Sequence, residues 1–414
     1  MKVALLSLGC KVNQSEFMEI ESLLRDRGAE IVSLDERPDF CLINTCSVTA
    51  KSDYQSRQLI RRAAQAGAKV IVTGCYSELN PEPVRKMKGV FQLIENSKKE
   101  SIINMLGDNT SSLLVNPWGN SFKRSRFLVK IQDGCNYSCS YCLIPAARGR
   151  ARSIAPQEVI SRVKEAVSRG YMEAVLTGIH IGLYGVDLVP KMSITDLIAE
   201  ILEKTAIYRL RISSLEVNEL DERLLDLMKA GRLCPHLHIP LQSGDDRILA
   251  LMKRPYKVKE FKEKVLFFSD QVPCLGLGTD VIPGFPGEGE EEFENTAALL
   301  SELPLTYMHI FPYSERPGTR ASLMPDKVPP QVRKARAAYL RKLSEEKKSA
   351  FLMGLQGREE DLLIEEIRPE GALGTTGNFV KALARVPEIV SKGNIIRIRF
   401  EGHESGITLA KPLN

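Results

Sequence analysis

The chain reads as an α/β protein in three parts: an N-terminal doubly wound parallel sheet, a central partial (β/α) barrel and a small C-terminal β-barrel. Three observations predict this. Strand and helix signals alternate over residues 1 to about 108. The alternation resumes from Phe127 to about Leu343. Residues 351–414 then change character, to Gly-rich turns and short β-type runs. Strand–helix alternation implies parallel sheets, and short strands without helices imply a small barrel.

Lys2–Leu8 is an apolar run ending in Gly9-Cys10. It is too short for a signal peptide and reads as the first strand. Gln14–Arg27 predicts a helix closed by Gly28, and Phe40–Asn44 a buried strand ending near Cys46. A helix over about Lys51–Ala66 follows, then a strand over Lys69–Thr73 that ends in Gly74-Cys75. Ligands in doubly wound sheets bind at the carboxyl ends of strands. Cys10, Cys46 and Cys75 each fall just past such an end, so all three should gather on one edge as a three-Cys site. The competing reading is three separately buried cysteines, which fits Cys41 inside PDFCLIN. Asp108–Ser112 is a polar break and a candidate linker.

In the central part the spacing predicts strands at Phe127–Ile131, Ala174–Thr177, Arg209–Ser213, His236–Pro240, Gly276–Ile282 and Tyr307–Phe311. Helices between them include Pro156–Arg169, Ile194–Lys204, Asp221–Ala230, Lys259–Phe268 and Glu290–Leu303. Such units fit an open barrel whose chemistry sits at strand carboxyl ends. Directly after the first strand comes GCNYSCSYC, with Cys135, Cys139 and Cys142 in a Cys-x3-Cys-x2-Cys array. Three thiolates can hold three irons of one cubane and leave the fourth open to a substrate or cofactor, whereas electron-transfer clusters have four Cys ligands. The competing reading is zinc, but no nearby His or Cys supplies its fourth ligand.

Pro325–Lys348 predicts a basic helical connector opened by Pro329-Pro330; a solvated helix face competes with a binding role. In the tail, β-type runs fall at Asp361–Ile364, Asn378–Ala382 and Asn394–Phe400. Within 371–400, Lys381, Arg385, Lys392, Arg397 and Arg399 face only Glu388, a plausible RNA surface. Its one aromatic, Phe379, limits base stacking. The expected domains are 1–115, 121–350 (with the connector) and 351–414.

Composition bounds the class. The 414 residues are 43% hydrophobic and 26% charged, as in globular proteins that bury sizeable cores. No segment has the apolar length of a membrane span. Nine cysteines without a secretion signal point to metal or redox chemistry in the cytoplasm rather than to disulfides. A net charge of +5 is compatible with an RNA partner without being evidence for one.

Family resemblance enters on the motifs. LGCKVNQSE (Leu8–Glu16), INTCSVT (Ile43–Thr49) and TGCYSE (Thr73–Glu78) carry the N-terminal cysteines. The central part carries LTGIHIGLYG (Leu176–Gly185), RISSLE (Arg211–Glu216), HIPLQSGDD (His238–Asp246), TDVIPGFPGE (Thr279–Glu288) and FPYSERPGT (Phe311–Thr319). With these strings the chain resembles the radical SAM methylthiotransferases along nearly its whole length, with an N-terminal cluster domain, a radical SAM barrel and a TRAM-like barrel. CKVN together with KIQDGCN…IPAARGRARS looks most like the MtaB branch, which acts on N6-threonylcarbamoyladenosine beside the tRNA anticodon. The branch acting on a ribosomal-protein aspartate typically has Pro-Lys after the first Cys.

The resemblance implies two 4Fe-4S clusters and S-adenosyl-L-methionine (SAM) as cofactors. Cys135, Cys139 and Cys142 would hold the SAM-binding cluster, which when reduced cleaves SAM to a 5′-deoxyadenosyl radical. Cys10, Cys46 and Cys75 would hold an auxiliary cluster that carries the sulfur. The implied product is 2-methylthio-N6-threonylcarbamoyladenosine. The implied partners are tRNA, an external electron donor and a sulfur source, with no membrane. Tyr141, Thr177, Gly178, Glu216, Gln242 and Ser243 are the candidate SAM contacts; for the polar ones the competing reading is a strand-end cap. Gly284 and Gly287 allow close backbone approach or simply a tight turn. Arg148 and Arg150 are the candidate partners of the threonyl carboxylate, with Arg152 beside them, against a solvated basic loop. His180, His236, His238, His309 and His403 receive no role, and His236 and His238 are expected on opposite faces of their strand. Alternatives remain: isopentenyladenosine in tRNA or a ribosomal-protein aspartate as substrate, and a non-enzymatic Fe–S redox sensor that binds RNA.

Overall fold

The computed structural model describes residues 1–106, 124–386, 390–404 and 407–413. The Asp108–Ser112 linker, the boundary between the first two parts and Glu388 lie outside the described residues.

The N-terminal part is a five-stranded parallel sheet. Its strands are β1 (Lys2–Ser7), β2 (Glu30–Ile31), β3 (Phe40–Thr45), β4 (Lys69–Gly74) and β5 (Val90–Leu93), in the order β2-β1-β3-β4-β5. The helix Lys11–Asp26 buries Phe17, Ile20 and Leu24 on one face of the sheet. The helix Ala50–Gln65 buries Ile60 and Ala63 on the other. Apolar residues in successive strand positions face both layers, which is why these strands read as continuous runs.

The central part holds two three-stranded parallel arcs. One is β6 (Phe127–Lys130), β9 (Glu173–Thr177) and β10 (Arg209–Ile212); the other is β11 (His236–His238), β12 (Gly276–Val281) and β13 (Tyr307–Ile310). A small hairpin, β7 (Gln132–Asp133) with β8 (Arg152–Ser153), brackets the Cys135–Cys142 loop. Leu215 N donates to His238 O at 3.0 Å and joins the arcs into one partial barrel. The helices named from the sequence cover its outside, with ends shifted by up to three residues. The connector is the helix Pro330–Met353, which packs on β13. It is less of a basic face than expected: Arg336 is buried against Glu288, and Lys347 donates to the carbonyls of Ser301 and Leu303.

The tail closes into a five-stranded barrel of β14 (Glu359–Arg368), β15 (Gly371–Thr376), β16 (Lys381–Ala384), β17 (Ile395–Glu404) and β18 (Ile407–Pro412). It sits under the central barrel. Arg209 donates to Asp361 O and Thr375 O, both at 2.8 Å, and Arg211 to Gly377 O and Thr376 O, both at 2.9 Å. Phe379 stacks on His236 at 4.5 Å. The basic face of the tail is partly neutralised, because Arg397 pairs with Asp361 and Arg399 with Glu359 across β14 and β17. No helix among the described residues is long and apolar enough to cross a membrane.

Candidate active site

Every cysteine in the chain is free. Cys10 caps the helix Lys11–Asp26, Cys46 follows β3, and Cys75 opens the short helix after β4. They do meet at one edge. Gly9 adopts φ +100°, and a Cβ there would lie 2.8 Å from Cys46 Sγ, so only glycine lets the two loops approach this closely. Burial pushes the Cys46 thiol up, and negative charge on Cys10 and Cys75 pushes it further. Burial also raises Cys75, opposed by Arg148, whose Nε donates to Cys75 Sγ at 3.3 Å.

The second set lies in the β7–β8 loop. Tyr137 N donates to Cys135 Sγ at 3.3 Å and Ile144 N to Cys142 Sγ at 3.4 Å. His180 Nδ1 is 3.2 Å from Cys135 Sγ, and its Nε2 is 2.6 Å from Glu219. Arg254 Nη1 donates to Cys139 Sγ at 3.4 Å while pairing with Glu216. Burial pushes the Cys142 thiol up to about 12. Such thiols ionise at neutral pH only when a metal takes the proton's place. Backbone N–H groups and cations aimed at the sulfurs fit thiolate ligands of an iron–sulfur cluster.

The two sets share one cleft of about 200 Å³. Cys75 lines it from the N-terminal part and Cys142 from the central part; Leu79, Leu143, Ile144 and Ile282 make much of it apolar. One ion network spans the same boundary. Glu16, buried on the N-terminal helix, meets Lys99 at 2.5 Å, Arg148 at 2.7 Å and Lys130 at 2.8 Å. Burial alone would raise its carboxyl, but Lys99, Arg148 and Lys130 hold it well below the usual range. Asp280, in the cleft lining, sits 2.9 Å from His238 Nε2 and 3.2 Å from His309 Nδ1. His236 and His238 both reach the Tyr307 hydroxyl, at 2.8 and 3.0 Å. The expectation of opposite faces was wrong, because residues i and i+2 of a strand share a face.

Tyr141 and Gln242 line the cleft, the latter with φ +69°. Thr177 is buried at the end of β9, and Gly178 packs on Gln132 and Ile181. Glu216 is engaged by Arg254. Ser243 turns its hydroxyl into the core, 3.3 Å from Thr296, rather than into the cleft. Arg148 is not an open cation: its side chain is 0% exposed and committed to Glu16, Asp133 and Asn13. Arg150 is exposed and Arg152 donates to Arg148 O. Sequence reasoning missed Glu16, Arg254, Asp280 and Arg316; Glu16, Asp280 and Arg316 lie inside quoted motifs and Arg254 outside them, and none has a signature spacing of its own.

A sheet domain and a partial barrel that present cysteines to one cleft define the class, and the comparisons agree. The Radical SAM superfamily matches residues 129–300, and the Uncharacterized protein family UPF0004 matches residues 2–95. The threonylcarbamoyladenosine tRNA methylthiotransferase MtaB of Aquifex aeolicus is 37% identical, over 89% of this chain and 94% of its own length. Its namesake in Bacillus subtilis is 33% identical, over 96% and 93%. The chain therefore belongs to the MtaB family of radical SAM methylthiotransferases, enzymes whose cofactors are SAM and 4Fe-4S clusters. Among solved structures, the radical SAM methyltransferase TsrM of Kitasatospora setae aligns over 78% of this chain and 75% of its own, with TM-score 0.58 at 14% identity, a likeness of fold alone.

Proposed function

We propose that this enzyme methylthiolates C2 of N6-threonylcarbamoyladenosine next to the anticodon of tRNA. The carrying observation is the single cleft lined by Cys75 from one domain and Cys142 from the other. The cysteine roles follow the family motifs: Cys135, Cys139 and Cys142 hold the SAM-binding cluster, and Cys10, Cys46 and Cys75 the auxiliary one. Loaded with these groups, the site supplies a hydrogen-abstracting radical and a sulfur donor. The chain's own residues do the rest. The apolar walls Leu79, Leu143, Ile144 and Ile282 exclude water, which would otherwise quench reactive species. Tyr141 and Gln242, in the cleft lining, would contact the cofactor, and Arg254 would hold Glu216 in place as a further contact. The Glu16–Arg148 pair fixes one domain against the other, and so the distance a substrate carbon must span.

This reading keeps the domains 1–115, 121–350 and 351–414, takes tRNA as partner, and requires an external electron donor and a sulfur source, with the reaction in the cytoplasm. The test is nucleoside mass spectrometry of tRNA from cells with and without the gene. Loss of 2-methylthio-N6-threonylcarbamoyladenosine alone is expected. Loss of the methylthio derivative of isopentenyladenosine instead rejects the substrate assignment.

A further inference from the structure

A substrate with a free threonyl carboxylate needs a cation in its pocket, because an unpaired buried carboxylate is costly. Arg148 cannot serve without abandoning Glu16 and Asp133. Among the described residues that line the cleft, Arg316 is the sole cation. It is 5% exposed. Its Nη2 donates to Ser47 Oγ at 2.7 Å and meets Asp53 Oδ2 at 2.7 Å. Its Nε is buried with no hydrogen-bond partner among the described residues, and none of them accepts from Nη1. The backbone is pinned as well, since Thr319 N and Oγ1 both donate to Arg316 O, at 3.1 and 2.7 Å. A guanidinium held at one nitrogen, rigid at its base and unsatisfied at the others is a preorganised anion receptor.

We propose that Arg316 binds a carboxylate in the cleft, and that this is the threonyl carboxylate of the substrate. The inference rests on the proposed substrate. Ser47 and Asp53 lie just past Cys46, so the receptor joins the N-terminal cysteine loop to the FPYSERPGT turn. The carboxylate would thus be gripped where the two domains meet. Asp280 is the one acid in the cleft lining among the described residues; it would repel a carboxylate lodged near it and so favours the Arg316 side.

The same chemistry occurs in the methionyl carboxylate of SAM, and the experiment separates the two sources. Reconstituted full-length enzyme is assayed on tRNA carrying N6-threonylcarbamoyladenosine, and on the same tRNA with that carboxylate capped as a methyl amide. The wild type should prefer the acid, and Arg316→Gln should erase about 10- to 100-fold of that preference, chiefly through KM, the range of one charge-assisted hydrogen bond. Arg316→Lys should restore part of it. Asp53→Asn, which loosens the anchor but keeps the guanidinium, should erase less of the preference than Arg316→Gln, whereas equal loss in both variants overturns the proposal. It therefore separates carboxylate binding from a clamp that merely holds the domains together. An unchanged acid-to-amide ratio in Arg316→Gln overturns the proposal. So does a weakened SAM dissociation constant with that ratio intact, which assigns Arg316 to SAM. Absence of any methylthio product from wild type on the acid substrate rejects the substrate assignment itself, a separate failure.

Discussion

Glu16 shows how much one side chain can hold. Three cations from three segments converge on its carboxylate, and two of them, Lys130 and Arg148, belong to the central barrel. Removing one partner of a buried ion network strands the others, so Glu16→Gln should cost about 3–5 kcal/mol. Urea unfolding of the cluster-free protein measures it, and a loss below about 1 kcal/mol would mean that water already screens the network. Asp280 makes a pH-dependent counterpart. Burial would raise its carboxyl, but hydrogen bonds from His238 and His309 hold it well below the usual aspartate range. A depressed carboxyl contributes stability that is complete above the unfolded-state value of about 4 and is lost as pH falls through the folded value. The stability difference between wild type and Asp280→Asn should therefore shrink as pH drops below about 5. A difference that stays constant with pH would remove Asp280 as its source. Such residues were not legible in the sequence. LGCKVNQSE marked Glu16 as part of a motif, yet its partners lie up to 132 positions away. Arg148 looked like a substrate ligand because a basic loop beside a cluster reads as open surface, and only the fold reveals its carboxylates.

At the scale of elements, chemistry and topology were read together. The rule that parallel sheets work at strand carboxyl ends puts Cys10, Cys46 and Cys75 on one edge from the sequence alone, and Gly9 and Cys46 meet there. Strands with long apolar runs were found within a residue or so at most ends. β2 has two residues and β5 pairs through a register shift, so neither offers a period to detect. Asn378–Ala382 was misread as one strand. It is largely a turn in which Phe379 takes φ +68° and Thr376 N donates to Val380 O, leading into β16. The two cysteine loops make separable predictions. Reconstituted enzyme should bind about eight irons, as two four-iron clusters require. Changing Cys135, Cys139 and Cys142 to Ala should leave about half the iron and abolish 5′-deoxyadenosine formation. Changing Cys10, Cys46 and Cys75 to Ala should spare that product and stop methylthio insertion. Normal methylthio yield from the second variant would make those cysteines structural.

For the whole molecule, the tail does more than present a basic surface. Glu173 at the start of β9 is completely buried and pairs with Arg126, Arg209 and Arg211. Two of these arginines spend their remaining donors on tail carbonyls. Gly276 of β12 lies so close that a Cβ there would fall 2.2 Å from Asn378 O. Deleting 351–414 therefore uncovers the floor of the central barrel, and a loss of RNA affinity in that fragment cannot be read as loss of an RNA surface. The deletion should lower the Tm of the remaining barrel by about 5–15 °C, from a loss of a few kcal/mol. An unchanged Tm would show that the tail is only an appendage. The RNA role needs the full chain. Lys381 and Arg385 are exposed, whereas Arg397 and Arg399 are paired with acids. Lys381→Ala with Arg385→Ala should thus weaken tRNA binding and flatten its salt dependence, by about one unit of slope for each phosphate no longer neutralised. Arg397→Ala should do less, because neutralising a paired cation releases fewer counterions. Equal affinity and equal slope in the double variant would move the RNA surface off the tail and toward exposed cations such as Arg150 and Arg152 beside the cleft.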